Sequence, residues 1–152
     1  MEIQKRRVID MHAHVFPLKI AEKAVGSICK FYDIPMHGTG TTEDIIDQAK
    51  ACNVEKILVH STATKQEQVV SINNFIMQEI DAHKELVGYG TLHPDFENIP
   101  EEVERMISGG LKGVKLHPDF QKFNLDDPKA FGIYEACEGR IPILFHIGDF
   151  RQ

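Results

Sequence analysis

Near its start the chain reads Asp10-Met11-His12-Ala13-His14. Side chains of a β-strand alternate between faces, so a strand here sets Asp10, His12 and His14 on one face and Ile9, Met11 and Ala13 on the other. Two neutral imidazoles on one face can share a divalent ion, at Zn–N distances of about 2.0–2.1 Å. Asp10, one layer deeper, is placed to accept a hydrogen bond from a ligating imidazole and orient it. A His-x-His pair in isolation is more often two ordinary polar residues; its position at the end of an apolar run is what favours metal. His60, His93, His117 and His146 also fall at or just past the ends of apolar runs, which makes six of the eight histidines. His117 and His93 each precede Pro-Asp and can simply hydrogen-bond loop backbone, with His117 the stronger candidate for acid–base chemistry. His60, before Ser61-Thr62, reads as a structural strand-end residue, and His37 and His83 as loop and helix-surface residues.

These imidazoles converge only if the strands run parallel, with their C-terminal ends on one side. Residues 8–12, 56–60, 86–92, 113–117 and 141–146 are short runs rich in Val, Ile, Leu or aromatics and read as strands. Between them lie helical patterns. Residues 66–82 place Val69, Ile72, Ile76 and Ile80 on one stripe. The stretch from Asn98 has a candidate N-cap, Pro100, two glutamates in its first turn, an inward Val103, Met106 and Ile107, and Gly109-Gly110 as its stop. Asp126 or Asp127 with Pro128 opens a further helix that Gly139 ends, and residues 42–51 form another after a Gly/Thr-rich loop. Strand and helix thus alternate at the spacing of βαβ units, which predicts a parallel α/β sheet. The first interval, from His12 to His60, holds an extra segment. Leu-His-Pro-Asp-Phe occurs at 92–96 and again at 116–120, each time after a strand, which is either an internal repeat or coincidence.

The chain's 152 residues, with 42% apolar and 26% charged content, suit one soluble globular unit spanning 1–152. A net charge of -6, with Lys5-Arg6-Arg7 as the one basic cluster, argues against nucleic-acid and anionic-membrane partners and reads as a solvated approach to the first strand. Cys29, Cys52 and Cys137 are odd in number and widely spaced, so neither a disulfide framework nor a thiolate zinc site is expected. No run approaches the roughly 20 residues of a membrane span and no signal-peptide core precedes the first strand, which points to the cytoplasm.

Three segments resemble the amidohydrolase superfamily, specifically its aminocarboxymuconate-semialdehyde decarboxylase-like branch: Ile9-Asp10-Met11-His12-Ala13-His14-Val15-Phe16-Pro17, Gly113-Val114-Lys115-Leu116-His117-Pro118 and Ile143-Leu144-Phe145-His146-Ile147-Gly148. The resemblance implies a partial (β/α) TIM barrel of about five parallel strands, with a divalent metal, zinc first, held by His12, His14 and His146. It implies a hydrolase or decarboxylase that activates water or polarises a small carbonyl or carboxylate substrate. Lys115 matches a fourth-strand lysine that relatives elsewhere in the superfamily carboxylate to bridge two metals; this branch generally uses one, so Lys115 is not counted as a ligand. A complete member adds a sixth-strand histidine for acid–base work and an eighth-strand aspartate at the metal, in a barrel of about 250 residues. The sequence stops just after the fifth strand, and Asp149 reads as a loop cap rather than as that aspartate.

Five strands leave the first and fifth as open edges, so a second copy or a chain carrying further strands is expected to cover them. The rival readings are a non-catalytic, oligomerising partial barrel that keeps metal binding, and a phosphoesterase of related barrel type. The acidic charge weighs against nucleic-acid substrates for the latter.

Overall fold

The computed structural model describes residues 7–147. Lys5 and Arg6 of the basic cluster, Gly148 of the last motif and Asp149 lie outside the described residues. Arg7, the remaining member of that cluster, forms a two-pronged ion pair with Glu55 on the exposed surface, both contacts at 2.6 Å.

All strand pairs are parallel. β1 (Val8–His14) pairs with β2 (Val54–His60) and β2 with β3 (Leu86–Gly88). β4 (Gly90–Thr91) pairs with β5 (Val114–Leu116) and β5 with β6 (Ile143–Phe145). The run at 86–92, expected as one strand, is thus two short ones separated by Tyr89. The physical reason is a change of partner within one residue: Tyr89 N still donates to Val59 O at 2.9 Å, while Gly90 N turns to Gly113 O at 2.9 Å. Glycine permits this approach, because a Cβ on Gly90 would stand 2.6 Å from Met106 Cε. Five successive strand positions result, curved as a segment of a (β/α) barrel.

Helices α2 (Thr42–Ala51), α3 (Val69–Ala82), α4 (Ile99–Ser108) and α6 (Pro128–Cys137) fall where the apolar periodicity and stop signals put them. A 3-10 turn over Gln66–Gln68 precedes α3. Thr41 caps α2 by accepting from Asp44 N, and Asp127 caps α6 by accepting from Lys129 N. Asn98 occupies the N-cap of α4 without a side-chain bond, leaving that start to proline and to Glu101 and Glu102 in the first turn. Two helices were not anticipated: α1 (Leu18–Tyr32) and the short α5 (Pro118–Gln121). α1 opens at Pro17 with no side-chain cap, so it lacks the usual start signal.

The outer face of the sheet carries the core. Ile57 and Val59 of β2 and Val114 and Leu116 of β5 pack with Val69, Ile76, Val103, Met106 and Ile133 from the helices. Strand alternation therefore turns His60 and Lys115 to the opposite, inner face. Asn73, fully buried on α3, fastens helix to sheet: its Nδ2 donates to Thr91 O at 3.0 Å and to Glu102 Oε1 at 2.7 Å, and its Oδ1 accepts from Thr91 N at 2.7 Å.

Candidate functional site

The C-terminal ends of β1, β5 and β6 open into a cavity of about 370 Å³, within the range of small-ligand sites. α1 roofs it with Val25, Ile28 and Tyr32, the loop at 36–41 and the start of α2 close one side, and His12, His14, His117 and His146 line it. His37, expected to be an ordinary loop residue, is also on its wall.

On β1, the alternation that brings His12 and His14 together holds: their Nε2 atoms are 3.3 Å apart. That separation is close to the edge of a tetrahedron with metal–nitrogen bonds of about 2.1 Å, roughly 3.4 Å. Asp10 does not reach a ring. Its Oδ1 accepts from the backbone N–H of His12 at 2.9 Å, fixing the main chain that carries the pair. His60 is the parallel-register partner of His14 and stands edge-on to both rings, with centroids 4.6 Å from His12 and 4.4 Å from His14. Among the described residues, His12, His14 and His60 form the group whose ligand nitrogens all lie within 4.8 Å of one another. The three nitrogens are close enough for a divalent ion to fit among them, and His60, read from sequence as a structural strand-end residue, stands beside the β1 pair.

His146 lines the same cavity but is not in that group of three. Its ring stacks on His117, centroids 4.1 Å apart at 11°. The Tyr32 hydroxyl lies 2.8 Å from His117 Nε2 and 3.0 Å from His146 Nε2. One phenol has one hydrogen, so it donates to one imidazole and accepts from the N–H of the other. The opposite nitrogen of His117, Nδ1, accepts from Phe120 N at 3.4 Å. Gln121, a buried side chain, sets that strand end in place: its Oε1 accepts from His117 N, and its Nε2 donates to Ala63 O and Leu92 O. It thereby ties together the chain leaving β2, β4 and β5. His93 stands apart from the cavity wall, its Nδ1 accepting from Asp95 N at 3.2 Å in the loop after β4.

Tyr32 and Gln121 escaped the reading of the sequence because both sit on the unanticipated helices. The stripe Ala21, Val25, Ile28, Tyr32, at spacings of four, three and four, is the signal that would have found the first.

Electrostatically the site is a cluster of neutral imidazoles around one ammonium. Lys115 is fully buried and its Nζ has no hydrogen-bond partner. Burial lowers it from 10.5 to about 8. Burial first, then His12 and Lys115, push His14 down to about 3. His117 falls to about 3 through burial, then His146 and Lys115. His60 is lowered further still by burial and its two histidine neighbours, and His12 is lowered by burial and Lys115. Neutral imidazoles are the form that binds metal.

Residues 9–152 match the sequence profile of a family described as Amidohydrolase. Among solved structures, the chain resembles a probable 2-pyrone-4,6-dicarboxylic acid hydrolase from Acinetobacter baumannii, crystallised with citric acid bound, at a TM-score of 0.61 and 18% identity. The match covers 93% of this chain and 50% of that one, so the chain spans about half its length; at this identity the likeness is one of fold. No curated protein matches by sequence.

Proposed function

Because the chain belongs to the amidohydrolase family, we propose that it is a metal-dependent hydrolase or decarboxylase acting on a small carbonyl or carboxylate substrate. The observation that carries this is the β1 pair, two imidazoles of one strand with Nε2 atoms 3.3 Å apart at the wall of a cavity. His12 and His14 are the ligands this reading requires, with zinc as the first candidate metal. The chemistry such an ion supplies is acidification of bound water toward a pKa of about 7 and polarisation of a substrate oxygen.

The chain's own residues handle the proton. His117 and His146, bridged by the Tyr32 hydroxyl, form a relay within which hydrogen moves between nitrogen and phenol oxygen. At neutral pH His117 is a neutral imidazole whose Nδ1 accepts from Phe120 N, so its Nε2–H donates to the Tyr32 oxygen and the phenol donates on to His146 Nε2. Tyr32, Val25 and Ile28 on α1 screen the cavity from water. Carboxylates are the first probes to try, since the structural neighbour is named for a dicarboxylic acid and held citric acid. The three cysteines are unpaired, as a cytosolic protein would keep them.

The test is elemental analysis of protein purified without added metal, followed by a turnover screen on lactones, esters, amides and aromatic carboxylates. We expect near-stoichiometric divalent metal and a turnover lost in His12→Ala. Metal without turnover of any of these substrates would leave a binding protein rather than an enzyme, and no metal even after incubation with excess would end the proposal.

A further inference from the structure

The excursion between β1 and α2 is built as a flap on a narrow neck. Its two ends are joined where Phe16 N donates to Gly40 O at 2.8 Å. Residues 17–39 between them carry α1 over the cavity. The helix is shallowly seated: of its 15 residues Ala21 is the buried one, whereas the ten-residue α4 buries Ile99, Glu102, Val103 and Met106. Gly26 interrupts its middle, and residues 33–39 after it are exposed throughout. An element with so little enclosed surface opens locally at small cost. What fastens it is its last turn. Among the described residues, the side-chain hydrogen bonds that tie α1 to the strand ends both come from the Tyr32 hydroxyl, beside an edge-on contact of Phe31 with Phe120, centroids 4.6 Å apart. The phenol's hydrogen goes to His146, because Nδ1 of His117 is taken by Phe120 N and its Nε2 is the donor. That bond occupies the Nε2 lone pair of His146, and a lone pair is what metal ligation uses.

We propose that α1 is a lid over the cavity and Tyr32 its latch, masking His146 Nε2 until a divalent ion displaces the phenol, so that metal binding and lid opening are coupled. The inference rests on the reading that the β1 pair holds a metal, with His146, on the wall of the same cavity, as a further ligand. Tyr32 then keeps His117 alone, which shortens the proton relay to those two groups.

The experiment follows backbone amide exchange of the full chain with and without saturating Zn(II), reads trypsin cleavage at Lys19, Lys23 and Lys30 of α1 alongside it, and measures Zn(II) affinity by calorimetry. Wild type is compared with Tyr32→Phe and with Tyr134→Phe, which loses a phenol on α6 instead. Without metal, α1 should exchange faster than α3 and α4, and Tyr32→Phe should speed α1 by roughly tenfold while leaving α3 and α4 as they are. Zn(II) should speed α1 in the wild type and have little further effect in Tyr32→Phe. Tyr32→Phe should bind Zn(II) about three to ten times more tightly, because the competing hydrogen bond is gone and the two equilibria are linked. Tyr134→Phe should match the wild type in both readouts. An α1 that exchanges as slowly as α3 and α4 would overturn the lid, and acceleration spread evenly over all three helices would make Tyr32 a general structural residue rather than a latch. Zn(II) bound equally by wild type and Tyr32→Phe, with α1 exchange unchanged, would refute the coupling while the β1-pair reading stood. Absence of Zn(II) binding by every protein would overturn that reading and the coupling with it.

Discussion

Lys115 is the residue whose burial most distorts the charge balance of the site. An ammonium enclosed without a partner is unfavourable, and the molecule responds by lowering its pKa from 10.5 to about 8. The sign of the linkage follows: the unfolded chain holds this proton up to about pH 10.5, while the folded chain releases it near pH 8. Stability therefore rises with pH across that window, by at most about 3 kcal/mol, and the penalty is fully present below it. Replacing Lys115 with Met should raise stability at neutral pH and remove the upward slope, as read by urea unfolding across that range; parallel pH curves for the two proteins would refute this. The buried histidines act at the other end. His14 and His117, held to about 3, bind protons in the unfolded chain first, so the stability they confer is present above about pH 6.5 and is lost as pH falls toward 3. At this scale the sequence was most readable where spacing translates directly into geometry. His12 and His14 share a face because strands have period two, and nothing else was needed. The closeness of His14 and His60 depends on the register between two strands, which neither strand states by itself, so His60 read as a strand-end residue. Lys115 stood out in the sequence only through family resemblance, because a lysine inside a strand says nothing of whether anything faces it.

Between elements, the decisive contact is Asn73, which reaches from α3 to both the backbone of β4 and Glu102 of α4. β4 is only two residues long and owes its position to that side chain as much as to its ladder. Asn73→Leu removes the acceptor of Thr91 N–H and the donor to Thr91 O in a dry interior, and should lower stability by about 2–4 kcal/mol in urea unfolding. Glu102 keeps its contacts to Arg105, so the loss is not that of an orphaned charge. A change below about 0.5 kcal/mol would mean that the network is incidental. The elements legible in advance were those with punctuation: the Gly/Thr-rich loop before α2, the proline and acidic first turn of α4, Asp127-Pro128 before α6. α1 has a clear inward stripe but opens without a side-chain cap and carries Gly26 in its interior, so it lacks the start signal that marks the others. That omission hid Tyr32, whose hydroxyl lies within hydrogen-bond distance of both His117 and His146.

For the whole molecule, the open question is what covers the sheet. β1 has a described partner on one side only, β2, and β6 likewise has only β5. Val8, Ile9 and Met11 along β1 are 44, 51 and 58% exposed, unusual for apolar residues in the first strand of a parallel sheet, whose strands are ordinarily buried on both faces. Unpaired N–H and C=O groups flanked by apolar side chains are a template for pairing with another strand. The expected outcome is self-association at micromolar concentration through β1, seen as a concentration-dependent species in sedimentation velocity. Met11→Lys, whose side chain is already solvent-facing, should return the protein to a monomer without changing its unfolding midpoint, because no interior contact is lost. His12 stands beside Met11 on the same strand, so a partner laid along this edge also borders the His12–His14 pair. Association should then tighten Zn(II) binding by ordering β1, and Zn(II) should strengthen association by the same factor, since the two equilibria are linked. A wild type that sediments as a monodisperse monomer at all concentrations, with or without Zn(II), would show that the edge is stable unpaired and that β1 is held by β2 alone.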